Sequence, residues 1–182
     1  MYPINMEGKM LLRISVAAVA LLMSYSLADA QGTKPNDSQI AHIAYTADQI
    51  DVKAGELALQ KSKNTDVRAF AENMVKDHNA VNAQALALVK KLKVTPQDND
   101  TSAALTKQAA DKEAALKKLD GAAFDKAYVD NEIAFHKTVN NALQSTLIPS
   151  ASNAELKDLL TTGLKIFQGH QQHAEHLRQS LK

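Results

Sequence analysis

The 182-residue sequence predicts an all-α protein, a bundle of four long helices with one shorter helix between them. Three observations predict it. Ala, Leu, Lys and Gln, all strong helix formers, recur throughout. Past residue 30, proline stands only at Pro35, Pro96 and Pro149, which leaves long intervals free to coil. Each interval carries an apolar stripe at helical spacing. No segment is expected to form strand.

The first helix is expected from about Ser38, with Ile40, Ile43, Ala47, Ile50 or Asp51, Ala54, Leu57 and Ala58 on one face, closing at Lys61-Ser62-Lys63. Asn64 is a capping residue for the second helix, predicted over Asp66 to Lys93 with Val67, Phe70, Ala71, Met74, His78, Val81, Ala85, Leu88 and Leu92 inward. Pro96 and the polar run Gln97 to Asp100 form a loop. A shorter helix near Ser102 to Leu119 then ends at Asp120-Gly121. The fourth spans about Ala122 to Leu147. The last opens on Ser152-Asn153-Ala154-Glu155, which has the form of a capping box, and aligns Leu156, Leu159, Leu160, Gly163, Ile166, Phe167, His170, Ala174, Leu177 and Leu181 on one side. Gly55, Gly163 and Gly169 interrupt helices at a cost of roughly 1 kcal/mol each, for which close helix approach is the expected compensation.

Short turns join helices one and two, and four and five, so each pair should form an antiparallel hairpin. The connection between hairpins is longer than a simple up-and-down bundle requires. A crossover along the bundle, as in ferritin-like four-helix bundles, explains that length, and a five-helix up-and-down bundle is the alternative.

The first thirty residues are of another kind. Lys9 and Arg13 precede an apolar run from Ile14 to Met23, and Ala28-Asp29-Ala30 supplies the small residues a signal peptidase reads. Residues 1–30 therefore read as a cleaved signal peptide, 31–37 as a linker and 38–182 as one folded domain. The apolar run is about half of the roughly 20 residues a bilayer span needs, so no transmembrane span is expected in the mature form, and the protein is expected to be periplasmic or secreted. Despite that compartment the chain has no cysteine. This excludes thiol catalysis, iron–sulfur ligation, a lipidated cysteine and covalent haem attachment. A net charge of +1 with interspersed signs, without aromatic clusters, argues against nucleic acid as a partner.

The run from Val67 to His78, V-R-A-F-A-E-N-M-V-K-D-H, resembles the "V-x-x-F-A-x-x-M-V-x-D-H" signature of a large bacterial family of exported ferritin-like domains of unknown function, often labelled outer membrane proteins. Phe124-Asp125-Lys126-Ala127-Tyr128, with His136 eight residues on, is similar to that family's "F-D-x-x-Y" followed by His. The stretch from Asp51 to Ala58 resembles a family segment that usually has Glu at the place of Asp51. Phe167-Gln168-Gly169-His170 fits its terminal His pattern, with Lys165 where Pro is common. The resemblance implies a ferritin-like fold and no established reaction.

It also raises the question whether Asp51, His78, His136 and His170 converge. Asp51 lies 11 residues before Ser62 and His78 lies 12 after Asp66, so in a hairpin they are level. His136 lies 11 residues before Leu147 and His170 lies 17 after Asn153, an expected offset of roughly 9 Å at about 1.5 Å per residue, so Glu132 is the better match to His170. Imidazoles facing carboxylates inside a bundle suit one divalent transition metal such as zinc, iron or copper. The candidate ligands are Asp51, His78, Glu132, His136 and His170. A di-iron centre needs Glu-x-x-His pairs, and Val75 and Ile133 stand where those Glu residues belong, so ferroxidase and oxygenase chemistry is not expected. Met74, four residues before His78, has no opposing haem ligand, so no haem is expected.

Each candidate also has a purely structural reading. His78 can bond Asp51 across the hairpin, His136 can bond Glu132 one turn back, and Tyr128 can be a core-edge ring with a satisfied hydroxyl. Asp77 reads as a solvated or supporting carboxylate. His170, His173 and His176 form a run whose members at i,i+3 can chelate a surface ion. No nucleophile–base arrangement or phosphate loop is readable, so an enzyme is not the expectation. Two functions remain open: a non-catalytic envelope protein that binds another envelope protein or serves in stress, placed first, and a periplasmic protein that binds a metal ion.

Overall fold

The structure, a computed structural model, describes residues 34–181. The expected signal peptide and most of the linker lie outside them. Helix α1 spans Asp37–Lys61, α2 Thr65–Leu92, α3 Asp100–Lys117, α4 Gly121–Ala142 and α5 Ala154–Ser180, and no described residue is in a strand. Beyond Ala142 the chain stays coiled through a π-helical segment, Leu143–Leu147, and a last turn, Ile148–Ser150.

Caps set most of these boundaries. Asn36 and Gln39 form a reciprocal capping box that starts α1 one residue before the expected domain boundary. The Asn64 side chain accepts from the N–H groups of Asp66 and Val67, as its position predicted. The capping box expected at Ser152 is not formed: Asn153 caps α5 by accepting from the Leu156 N–H. The N–H groups of Ser152 and Asn153 instead donate to the carboxylate of Asp37, at 2.8 and 3.0 Å, tying the start of α1 to the α4–α5 turn.

Helices α1 and α2 form one hairpin and α4 and α5 the other, with α2 against α5 and α1 against α4. The intervening α3 runs outside the bundle over α1 and α4. It starts beside the beginning of α1, where Asn99 Nδ2 donates to the Gln39 carbonyl, and finishes beside its end, where Lys61 Nζ bonds the Lys117 carbonyl and Asp120. This is the crossover expected of a ferritin-like bundle, which lets α4 start at the far end. Gly121 opens α4 at φ +54°, a left-handed conformation that favours glycine.

The interior has three layers along the bundle axis. One apolar cluster, with Ile40, Ile43, Phe135, Leu147, Leu160 and Phe167, fills the end where α1 begins. A second, with Leu57, Phe70, Met74, Phe124, Tyr128 and Leu177, fills the opposite end. Between them lie the buried polar side chains of Asp48, Asp51, His78, Glu132, His136 and His170. Two glycines shape this interior. A Cβ on Gly55 would lie 2.8 Å from Val75 Cγ2 and 3.2 Å from the Ala71 carbonyl, so α1 and α2 touch closely there. At Gly163 the neighbour is the ring of Phe167 in the same helix, which the missing Cβ lets lie close to the backbone. Gly169 faces open space, contrary to the expectation of close approach.

Candidate metal centre

The polar layer takes side chains from all four bundle helices. On α1, Asp48 and Asp51 are one turn apart on the inward face. His78 comes from α2, Glu132 and His136 one turn apart from α4, and His170 from α5. All five expected ligands therefore reach one layer. The rings of His78, His136 and His170 form a triangle, with centroid separations of 5.7 Å for His78–His136, 5.2 Å for His78–His170 and 5.6 Å for His136–His170.

The expected 9 Å offset between His136 and His170 is not observed. Helix four does not stop at Leu147 but coils on to Ser150, so His136 lies 14 residues before its end, and the remaining mismatch of three residues is about 4.5 Å. The short Ala151–Asn153 turn absorbs it. Pro149 accounts for the π-helical register, because its ring excludes the carbonyl four residues back and it has no N–H to donate. The Ile148 N–H accordingly bonds the Leu143 carbonyl five residues back.

Each imidazole has one nitrogen tied down and one without a hydrogen bond. His78 Nδ1 lies 2.7 Å from Asp48 Oδ1, His136 Nδ1 lies 3.0 Å from the Glu132 carbonyl, and His170 Nε2 lies 3.1 Å from Asp77 Oδ2. The opposite atoms, His78 Nε2, His136 Nε2 and His170 Nδ1, are buried and make no hydrogen bond within the described protein. One ligand atom from each of the three lies within 4.8 Å of the others, and the same holds for Asp51, Glu132 and His136. Carboxylates and carbonyls that fix the far nitrogen of an imidazole are the arrangement that orients metal-binding histidines. The Phe167 ring stacks on His78 at 4.7 Å and 9°, holding its plane.

Several structural readings are thereby corrected. The hydrogen-bond partner of His78 is Asp48, while Asp51 Oδ2 lies 3.5 Å from its other nitrogen. His136 bonds the backbone of Glu132, with the carboxylate 3.8 Å away. Tyr128 is in the core rather than at its edge, and its hydroxyl makes no hydrogen bond within the described protein. The run of three histidines on α5 is divided: His170 turns inward, whereas His173 is exposed against Phe70 and His176 is exposed. Asp77 supports His170 as a neighbouring carboxylate. Asp48 was missed, although it lies three residues before Asp51, on the face shared with Ala41 and Ala44.

Burial dominates the electrostatics. It pushes the Asp48 carboxyl up to about 8, against a smaller lowering by the neighbouring His170. Burial, then the neighbouring charges of Glu132 and Asp48, holds Asp51 well above the usual carboxylate range. Glu132 is raised by burial to about 7, against smaller lowering by the neighbouring Asp51 and Asn131 side chains. Burial drives His78 down to about 3, helped by the neighbouring His170, and lowers His136 and His170. Carboxyls pushed up and imidazoles pushed down leave the layer close to uncharged near neutral pH, with no strong internal ion pair. Three neutral imidazoles beside carboxyls able to ionise are a donor set that fits a borderline divalent cation.

No curated protein matches the chain. Solved structures of similar fold include two proteins. One is a DUF305 protein of Streptomyces coelicolor described as secreted, with TM-score 0.63 and 11% identity over 76% of this chain and 89% of that one. The other is CopM in the Cu(II)-bound form, with TM-score 0.64 and 14% identity over 82% of this chain and 100% of that one. At these identities the likeness is one of fold, and it agrees with an all-helical bundle. The family described as Domain of unknown function (DUF4142) matches residues 22–177, which contain every part of the His, Asp and Glu layer, and the chain belongs to that family.

Proposed function

We propose that the polar layer binds one divalent transition metal ion, with His78, His136 and His170 as nitrogen ligands and Asp51 or Glu132 supplying a carboxylate. The observation that carries this reading is the pattern of the three imidazoles: each is fixed by one ring nitrogen while its other nitrogen is buried and unbonded, and one ligand atom from each ring lies within 4.8 Å of the others. Left unbonded, buried nitrogens of this kind are costly, and a cation relieves that cost at all three together. Nitrogen-rich donor sets favour copper and zinc over calcium or magnesium. The Cu(II)-bound form of CopM, a protein of similar fold, supports testing copper first.

In this reading the protein stores, buffers or sequesters metal rather than catalysing a reaction. It works outside the cytoplasm. The support for that location is the leader-like pattern of residues 1–30 and the secreted description of the DUF305 neighbour. Among the described residues no helix is long and apolar enough to cross a membrane. The interaction reading gains no comparable support: the only large apolar side chain exposed among the described residues is Leu86, one residue rather than a patch.

Elemental analysis of untagged protein is the test. One equivalent of copper or zinc is expected, lost in His136→Ala. Copper at about 100 times its dissociation constant should add about 2.7 kcal/mol of stability, which for a domain of this size raises Tm by roughly 5 to 11 °C. Melting unchanged by copper, zinc, iron or manganese, with no metal retained, would overturn the proposal.

A further inference from the structure

A cation bound in this layer has to get there, and the two apolar clusters close the bundle above and below it. A cavity of about 50 Å³ approaches the layer from the end where α1 begins, reaching Asp48 and Phe167, but the rest of its lining is hydrocarbon, including Ile43, Val81, Leu105 and Leu160. Such a passage opposes a charged, hydrated ion. The α2–α5 seam differs. Of the three imidazoles, those of His78 and His136 are 1% exposed, whereas that of His170 is 9% exposed. The carboxylate that holds it, Asp77, is 40% exposed, while that of Asp48 behind His78 is 6% exposed. Asp77 and His170 thus form a chain of two polar groups from solvent to the triangle, with their contact at 3.1 Å and His170 Nδ1 buried on the inner side.

We infer that the cation enters through the α2–α5 seam, where Asp77 captures it from solvent and His170 passes it inward to His78 and His136. This rests on the metal-binding reading and adds its route. The capture step needs only that the Asp77 carboxylate exchange its hydrogen bond to His170 for the incoming ion. Rotation of the freed imidazole then presents the ion to the interior. No covalent bond changes.

Stopped-flow mixing of metal-free, full-length protein with Cu(II), followed by absorbance, tests it. In Asp77→Asn, which keeps an oxygen to accept from His170 but removes the charge, the association rate constant at low ionic strength should fall about tenfold and lose most of its salt dependence. Asp77→Glu should retain the rate. Asp158→Asn, an exposed carboxylate near the start of α5, should behave as wild type. A merely positioning role for Asp77 predicts a different result: faster dissociation with the association rate and its salt dependence unchanged, and that result would overturn the inference while leaving the site intact. Wild-type protein that takes up no Cu(II) would overturn the metal reading, and the route with it.

Discussion

Metal-free protein should lose stability as the pH rises from about 6.5 to about 8. In the folded chain Asp48 holds its proton to about 8 and Glu132 to about 7, and Asp51 is also raised, while the same carboxyls in the unfolded chain have shed theirs above about 5. The folded state therefore binds more protons than the unfolded one in this window, and stability falls as pH rises. The imidazoles act in the opposite sense. His78 is lowered to about 3, and His136 and His170 are lowered too, so only the unfolded chain gains their protons below about 6.5, and stability is lost as pH falls. Between about pH 4.5 and 6 the two sets offset each other, and above 6.5 the carboxyls remain alone. A net difference of one proton is worth about 1.4 kcal/mol per pH unit, or about 2 kcal/mol over the window, equivalent to roughly 4 to 8 °C in Tm. Calorimetry of chelator-treated protein at the two pH values measures it. Asp48→Asn should flatten the decline by removing one of the protons. Saturating Cu(II) should abolish it, because the cation replaces the protons. Metal-free stability that is level or rises across the window would refute the argument, since it would mean that the layer is ion-paired rather than close to uncharged.

Further outcomes follow from packing. Gly55→Ala should destabilise by about 1 to 2 kcal/mol in urea unfolding despite the better helix propensity of alanine, because its methyl meets Val75 at 2.8 Å and the Ala71 carbonyl at 3.2 Å. Phe167→Ala should cost about 3 to 4 kcal/mol of stability and weaken Cu(II) affinity, since the ring fills one apolar cluster and also stacks on His78. Asp37→Ala should lower Tm by a few degrees without changing metal content, because its two hydrogen bonds join the α1 start to the distant α4–α5 turn.

Much of this was legible in the sequence. Inward positions such as Ile40, Phe70, Met74, Leu160, Phe167 and Ala174 follow directly from helical spacing, and they are buried. The long middle segment correctly signals a crossover, because loop length is a strong constraint on helix adjacency. What escaped has physical reasons. Asp48 lies at a face position, but a carboxylate among alanines on an amphipathic helix normally marks the solvated edge, and only the opposing His78 shows otherwise. The height of His136 relative to His170 was misjudged because Pro149 reads as a helix stop, and nothing in Leu143 to Leu147 signals that the coil continues by widening its hydrogen-bond register. Ser152 and Glu155 satisfy the capping pattern, yet Asn153, one residue on, competes for the same role and wins.

The sandwich of hydrocarbon, polar stratum and hydrocarbon acts as a longitudinal vernier. Four rods packed only by aliphatic side chains can slide by one turn and still bury comparable area. Here such a slip would drive imidazoles and carboxyls into Phe, Leu and Ile at either end, stripped of partners. A version with leucines throughout the stratum should therefore be harder to melt yet less certain of its alignment, the trade that buried polar groups make in other helical assemblies.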